Sequence, residues 1–291
     1  MFVEAYKRAS IFTRPLIIST RTWEGEVESG CGAFVILNKE GWILTVAHIL
    51  DAQLASNQHL PEIEKYKQEV EKIESDTALS AKQKRKKTNK LNPNRKWITN
   101  VSYWWGADGV EMEELKYFYE GDIAIGKIKN YKHQDGFEYP KFKNPKNIQV
   151  GKALCKLGYP FHKIPTTFSD EKGFTLEEGS VPLPRFPIDG MYTRNVNCVS
   201  ETNKTKFPIR FLETSSPGLK GQSGGPTFDV DGNVWAIQSK TINLPLGFSP
   251  EVEKNGKKVE EHQFLNVGWG VHPDLIFAFL QEHKVNFEIV D

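Results

Sequence analysis

The stretch Gly218-Leu219-Lys220-Gly221-Gln222-Ser223-Gly224-Gly225-Pro226 decides how the chain is read. A serine set among glycines on a turn presents its hydroxyl outward. The same turn leaves backbone N–H groups free to face a developing oxyanion. A bare serine is a poor nucleophile near neutral pH, so it needs a base, itself oriented by an acid. Both stand upstream: His48 in Thr45-Val46-Ala47-His48-Ile49-Leu50, and Asp122 in Gly121-Asp122-Ile123-Ala124-Ile125. The other histidines (His59, His133, His162, His262, His272 and His283) lack the Thr-x-Ala-His setting. Asp108, in Gly106-Ala107-Asp108-Gly109, is the competing acid, but its string is turn-like, whereas Asp122 leads an apolar strand.

The chain order His, Asp, Ser and the three strings together resemble the trypsin/chymotrypsin superfamily of serine peptidases. The nearer resemblance is to bacterial HtrA/Deg-type peptidase domains, without a PDZ domain. Glu28-Ser29-Gly30-Cys31-Gly32-Ala33-Phe34-Val35-Ile36 resembles the strand before the histidine, and Leu157-Gly158-Tyr159-Pro160-Phe161 a turn of that family. Ile188-Asp189-Gly190-Met191-Tyr192 is similar to a glycine-led strand, and Val267-Gly268-Trp269-Gly270-Val271-His272-Pro273 leads into a last helix. The likeness covers roughly residues 10–50 and 98–285.

The resemblance implies an all-β fold of two six-stranded antiparallel barrels. It implies Ser223 as nucleophile, His48 as general base, Asp122 as its orienting acid, and the N–H groups of Gly221 and Ser223 as the oxyanion hole. Six residues before Ser223 stands Pro217, where trypsins carry a pocket-floor aspartate, so a basic-residue preference by that mechanism is not expected. Pro217 and the edge strand Gln238-Ser239-Lys240 are the implied substrate-binding residues, with Ser239 near Asp122. Gln222 precedes the nucleophile where secreted trypsins carry an aspartate that pairs with a new N-terminal ammonium. Activation by that ion pair is therefore not expected.

Composition bounds the rest. The 291 residues are ample for a large core, and a formal charge of +1 gives no global field for a nucleic-acid partner. The odd, sparse set Cys31, Cys155 and Cys198 is not a disulfide framework. The start Met1-Phe2-Val3-Glu4-Ala5-Tyr6-Lys7-Arg8 lacks the pattern of a secretory signal, and no propeptide is expected. The longest apolar runs fall well below the ~18 residues of a membrane helix. The expectation is a cytoplasmic protein acting on protein or peptide substrates, with no membrane contact and no metal or organic cofactor.

Strand signals run through residues 10–50, including Ile11-Phe12 and Leu16-Ile17-Ile18, and resume at 97–105 and 122–128. A first barrel is expected over 1–150, carrying His48 and Asp122, and a second over 151–291, carrying Ser223. Between His48 and Asp122, residues 59–96 break the strand pattern. Pro61-Glu62 opens a segment with Ile63, Tyr66, Val70 and Ile73 on one helical stripe, and a second helix carries the basic run 82–87. This predicts a helical hairpin inserted in the first barrel, whose stripe packs on the hairpin or the barrel, or docks an activating partner. A C-terminal helix is expected at 273–283. The competing reading is a catalytically silent peptidase-fold module that binds a protein partner through the insertion.

Overall fold

The computed structural model describes residues 1–199, 205–254 and 256–291, without the side chains of Asn147 and Lys254. Helix α1 (Val3–Phe12) opens the chain, with Ala5, Ala9 and Phe12 buried along one face. The strand expected at Ile11-Phe12 is the last turn of this helix, because Phe12 completes the buried stripe.

The first sheet follows: β1 (Thr13–Thr22), β2 (Val27–Ile36), β3 (Trp42–Thr45), then a 3-10 turn (Ala47–Leu50), helices α2 (Asp51–Ser75) and α3 (Ala81–Leu91), and strands β4 (Ile98–Trp105), β5 (Met112–Phe118) and β6 (Ile123–Ile128). Its strands run in the order β4-β1-β2-β3-β6-β5, each antiparallel to its neighbours. Six strands are present as expected, but the barrel stops short of a full ladder. Its two edges meet at one bridge, Trp105 to Val110. In the turn between them the Gly106 N–H donates to the Pro15 carbonyl, extending the pairing of β4 with β1.

The second sheet contains β7 (Lys141–Lys143), β8 (Ala153–Gly158), β11 (Phe186–Asn197), β12 (Arg210–Thr214), β13 (Pro226–Phe228), β14 (Val234–Pro245), β17 (Phe264–Val271) and β18 (Glu288–Val290). Two hairpins stand apart from it, β9 (Thr166–Ser169) with β10 (Gly173–Leu176) and β15 (Glu251–Lys254) with β16 (Lys257–Glu260). The order β13-β8-β11-β12-β17-β14 closes when β14 pairs back to β13, giving a complete six-stranded barrel. Strands β7 and β18 extend it in parallel, Val234 meeting Phe142 and Ile289 meeting Phe142. Helix α4 (Pro273–Glu282) lies where the sequence predicts it, starting on a proline whose missing N–H costs nothing at a first helical position.

The insertion begins earlier than residue 59. Helix α2 starts at Asp51, directly after the 3-10 turn, and runs through Pro61. Pro61 removes the hydrogen bond to residue 57 and is a poor interior residue. Docking on the first sheet outweighs it. The Ile98 N–H donates to His59 Nδ1 (3.0 Å), and Trp97 Nε1 donates to Glu62 (2.7 Å). Ile63 is buried, and Tyr66 packs edge-on against Trp23 at 5.5 Å between ring centroids. Part of the predicted apolar stripe is thus covered by the chain's own first sheet. Helix α3 is held to α2 by the Lys84 ammonium on the Glu74 carbonyl and has no buried residue.

One core spans both sheets, from Phe34, Ile43 and Ile125 in the first to Leu157, Phe211 and Phe228 in the second. Phe142 anchors its far end, fully buried against Phe277 of α4 and against Phe287. Among the described residues no helix is long and apolar enough to cross a membrane. Phe142→Ala removes the ring that joins β7, α4 and the chain's last strand. It should lower unfolding free energy by roughly 3–5 kcal/mol, measured by urea denaturation.

Candidate active site

The geometry of the site starts at β3. Its pairing with β6 sets Thr45 opposite Ala124. The 3-10 turn after β3 therefore lies beside the tight turn before β6, and His48 meets Asp122. The His48 backbone N–H donates to Asp122 Oδ1 (2.9 Å), and the ring Nδ1 lies 2.9 Å from Oδ2. Asp122 has φ of +51°, a left-handed conformation that aspartate tolerates better than most residues. Gly121 before it has no room for a side chain, because a Cβ would lie 2.6 Å from Leu275 of α4.

The second sheet reaches the same carboxylate. Ser239 Oγ donates to Asp122 Oδ2 at 2.5 Å. Asp122 thus accepts from the His48 backbone, the His48 ring and the Ser239 hydroxyl. Its side chain is 13% exposed against 37% for His48. Burial works against ionisation, but the hydrogen bond and charge of His48 and the Ser239 hydroxyl prevail and hold Asp122 below the usual carboxylate range. Burial likewise opposes charge on His48, yet the hydrogen bond and charge of Asp122, with a further push from Asp51, raise its pKa above the ordinary value. With Nδ1–H given to the carboxylate, the ring presents Nε2 as the basic nitrogen.

Ser223 arrives on the loop before β13, and this loop is stitched to both sheets. The Ala33 N–H of β2 donates to the Ser223 carbonyl (2.7 Å), Gly224 N–H to the Gln238 carbonyl (2.8 Å), and Gln238 N–H to the Gly225 carbonyl (2.8 Å). Gly32, next to Ala33, touches both sides of the site. A Cβ there would lie 3.3 Å from the Ser223 carbonyl and 3.8 Å from Ile49 on the His48 turn. Gly224 must be glycine: its φ is +83°, and a Cβ would stand 2.0 Å from the Ala33 carbonyl. At Gly221 the φ is +102° and its carbonyl accepts from the Tyr159 N–H (2.8 Å). Among the described residues the Gly221 and Ser223 N–H groups donate to no backbone carbonyl in this loop.

The chain belongs to the trypsin-like peptidase domain family. The family's model matches residues 30–237, which hold all three of these side chains. Among curated proteins none matches the chain. Two solved structures are similar in outline. One is the HtrA-type protease AlgW, a serine variant with a tripeptide, at 16% identity and a TM-score of 0.48; the match covers 97% of this chain and 63% of that one. The other is the Rv3671c protease from M. tuberculosis in its active form, at 12% identity and a TM-score of 0.48, covering 99% of this chain and 88% of that one. The chain therefore spans less than two thirds of the length of the first.

In this trypsin-like peptidase domain the predicted substrate-binding residues fall on two segments. Gln238 is buried and donates from Nε2 to the Lys240 and Trp269 carbonyls (3.1 and 3.2 Å). The Lys240 ammonium lies over the Phe211 ring at 4.4 Å, exposed beside the site. The Pro217 carbonyl accepts from a residue the sequence reading missed, Lys156 of β8. This lysine is fully buried, and its Nζ donates to the Ser216 carbonyl (2.5 Å), Ser216 Oγ (2.8 Å) and the Pro217 carbonyl (2.9 Å). Burial pushes its pKa down to about 7. The available signal was a lysine inside the apolar run Leu154-Cys155-Lys156-Leu157, where burial demands partners. Gln222 is also buried; its Oε1 accepts from the Leu219 N–H (3.0 Å) and its Nε2 donates to the Phe186 carbonyl (3.2 Å). The thiols are unpaired. Burial raises Cys31 and Cys155 to about 12, so neither is a thiolate near neutral pH. Among the described residues no group of His, Cys, Asp and Glu is arranged to hold a metal ion.

The His48 ring should titrate above the ordinary histidine value by NMR, and Asp122→Asn should bring it down, since the raising interactions go with the carboxylate. An unchanged midpoint in Asp122→Asn would contradict the assigned contact. Lys156→Met removes the shared donor of three acceptors at residues 216–217, of which the Ser216 carbonyl keeps only the Thr214 hydroxyl (3.2 Å). It should cost about 1–3 kcal/mol in chemical denaturation.

Proposed function

We propose that the protein is a serine endopeptidase hydrolysing peptide bonds of protein or peptide substrates. The observation that carries this is the Asp122 carboxylate, buried and anchored on the His48 backbone, the His48 ring and Ser239, which fixes one tautomer of a histidine beside the Ser223 loop. His48 Nε2 takes the proton of Ser223 Oγ as it attacks the scissile carbonyl. The N–H groups of Gly221 and Ser223 receive the oxyanion, each such donor being worth about 3–4 kcal/mol in related sites. As the tetrahedral intermediate collapses, His48 gives its proton to the leaving amine and an acyl-Ser223 ester remains. Water, activated by the same histidine, then hydrolyses the ester.

The substrate backbone lies along the exposed edge at Ser239–Thr241, and the residue before the scissile bond enters between that edge and Pro217. Pro217 carries no charge to recruit Arg or Lys there, which supports a neutral residue. The three unpaired cysteines support a reducing compartment, and we place the protein in the cytoplasm. The insertion α2–α3 offers the surface through which a partner could order the site.

A fluorophosphonate probe should label the wild type at Ser223, and Ser223→Ala and His48→Ala should abolish labelling while remaining folded. With an active preparation, Asp122→Asn should reduce kcat by roughly 10⁴-fold through the wrong tautomer. The acidic limb of the rate profile should lie above the ordinary histidine pKa, because only neutral His48 accepts the proton. A folded wild type that resists the probe even with candidate partners added would favour the silent binding module instead.

A further inference from the structure

A cleft lies away from Ser223, where α1, the start of β1, the connector at 134–137 and the segment before β11 converge. It measures about 580 Å³. Arg14 and Arg185 line it, with Phe137, Tyr159, Pro182 and Leu183 supplying apolar wall. Arg14 lies 5.8 Å from the centre of the Phe137 ring and Arg185 5.9 Å from that of Tyr159.

The two cations are held by main-chain carbonyls, with the Tyr159 hydroxyl a further partner of Arg185, and by no carboxylate among the described residues. Arg14 donates from one nitrogen to the Ser10 and Thr13 carbonyls (both 3.2 Å), and Arg185 from one nitrogen to the same pair (3.0 and 3.5 Å). Those carbonyls end helix α1, whose terminal dipole offsets only a fraction of two positive charges. Among the described residues the arginines in ion pairs are Arg21, Arg95, Arg194 and Arg210. Arg14 and Arg185 form none, and Arg185 Nε is buried without a hydrogen-bond partner. Burial, together with the like charge of Arg185, holds the Arg14 pKa below its ordinary value. Asp135 also lines the cleft and Asp108 acts on Arg14 from a distance, but neither is within ion-pair reach of the two guanidiniums. Two guanidiniums without a carboxylate partner, beside aromatic and aliphatic walls, match a carboxylate carried on an apolar body.

We propose that this cleft is a binding site for a small carboxylate with an apolar or aromatic body, held by Arg14 and Arg185. The site is connected to the Ser223 loop. Tyr159 donates from its hydroxyl to the Thr13 carbonyl (3.0 Å) on the cleft side and from its N–H to the Gly221 carbonyl on the other.

The test is thermal-shift and calorimetric titration of the full chain with sodium benzoate, sodium phosphate and sodium chloride at equal ionic strength. Benzoate should give a saturable rise in Tm that chloride does not. Arg14→Gln and Arg185→Gln should each weaken benzoate binding by at least about tenfold. Because Arg185 also holds the end of α1, Arg185→Lys serves where Arg185→Gln fails to fold; it keeps the charge but loses the fork, and should weaken binding too. No saturable response, a response to phosphate in place of benzoate, or unchanged affinity in the Arg14 and Arg185 variants would overturn the assignment. The readout is binding, so it is decided whether or not Ser223 proves to be a nucleophile.

Discussion

The buried carboxylate of Asp122 is the constraint on which the site depends. It accepts from the backbone and ring of His48 in the first sheet and from Ser239 in the second. A carboxylate at that depth is costly unless its lone pairs are filled, and here the filling groups are the ones that need orienting. Removing any donor therefore acts twice, through the orientation of the imidazole and through an acceptor left short of partners. The left-handed backbone at Asp122 follows from the same requirement, since the chain must turn sharply to bring the carboxylate under the His48 N–H before β6 begins.

The Ser223 loop solves the complementary problem of holding a turn with little regular structure of its own. Its carbonyl and N–H groups are distributed to Ala33, Gln238 and Tyr159, so three separate strands or turns fix one short segment. Such close backbone approach excludes side chains. That is why Gly221, Gly224 and Gly225 surround the serine: a Cβ at Gly225 would stand 1.9 Å from the Leu157 carbonyl. Lys156 supports the segment from below, trading the cost of a buried ammonium for three acceptors at residues 216–217. Residues 216–217 and the Ser223 turn are thus braced by the same strand, β8.

Much of this was legible because it is local. His48, Asp122 and Ser223 each sit in a string whose neighbours carry meaning: a glycine turn, an apolar strand after the acid, a strand before the histidine. The placement of α4 was legible for the same reason. What escaped was set by tertiary contacts. Pro61 reads as the opening of a helix, yet α2 runs through it because His59 and Glu62 take donors from the first sheet at 97–98. Strands β7 and β18 have three residues each, too few for any periodicity; β7 exists because β14 offers a parallel neighbour, and β18 because β7 does. Near-closure of the first sheet by one bridge, Trp105 to Val110, is likewise a tertiary outcome that no composition rule reports.

Gln222 shows how residue identity and environment together limit the ways the loop can be ordered. A carboxylate at this place could receive an ammonium ion as a charged partner and lock the loop only then. A neutral amide cannot make such a switch, and here both ends of the amide are already engaged, Oε1 with the Leu219 N–H inside the loop and Nε2 with the Phe186 carbonyl. The residue is fully buried, and Gly158 packs so tightly on it that a Cβ there would lie 2.5 Å from the Gln222 backbone. Gln222 offers no charge to attract an incoming ammonium ion. The Gln222 amide instead ties the loop to the Phe186 strand, and Gly158 of β8 packs against its backbone.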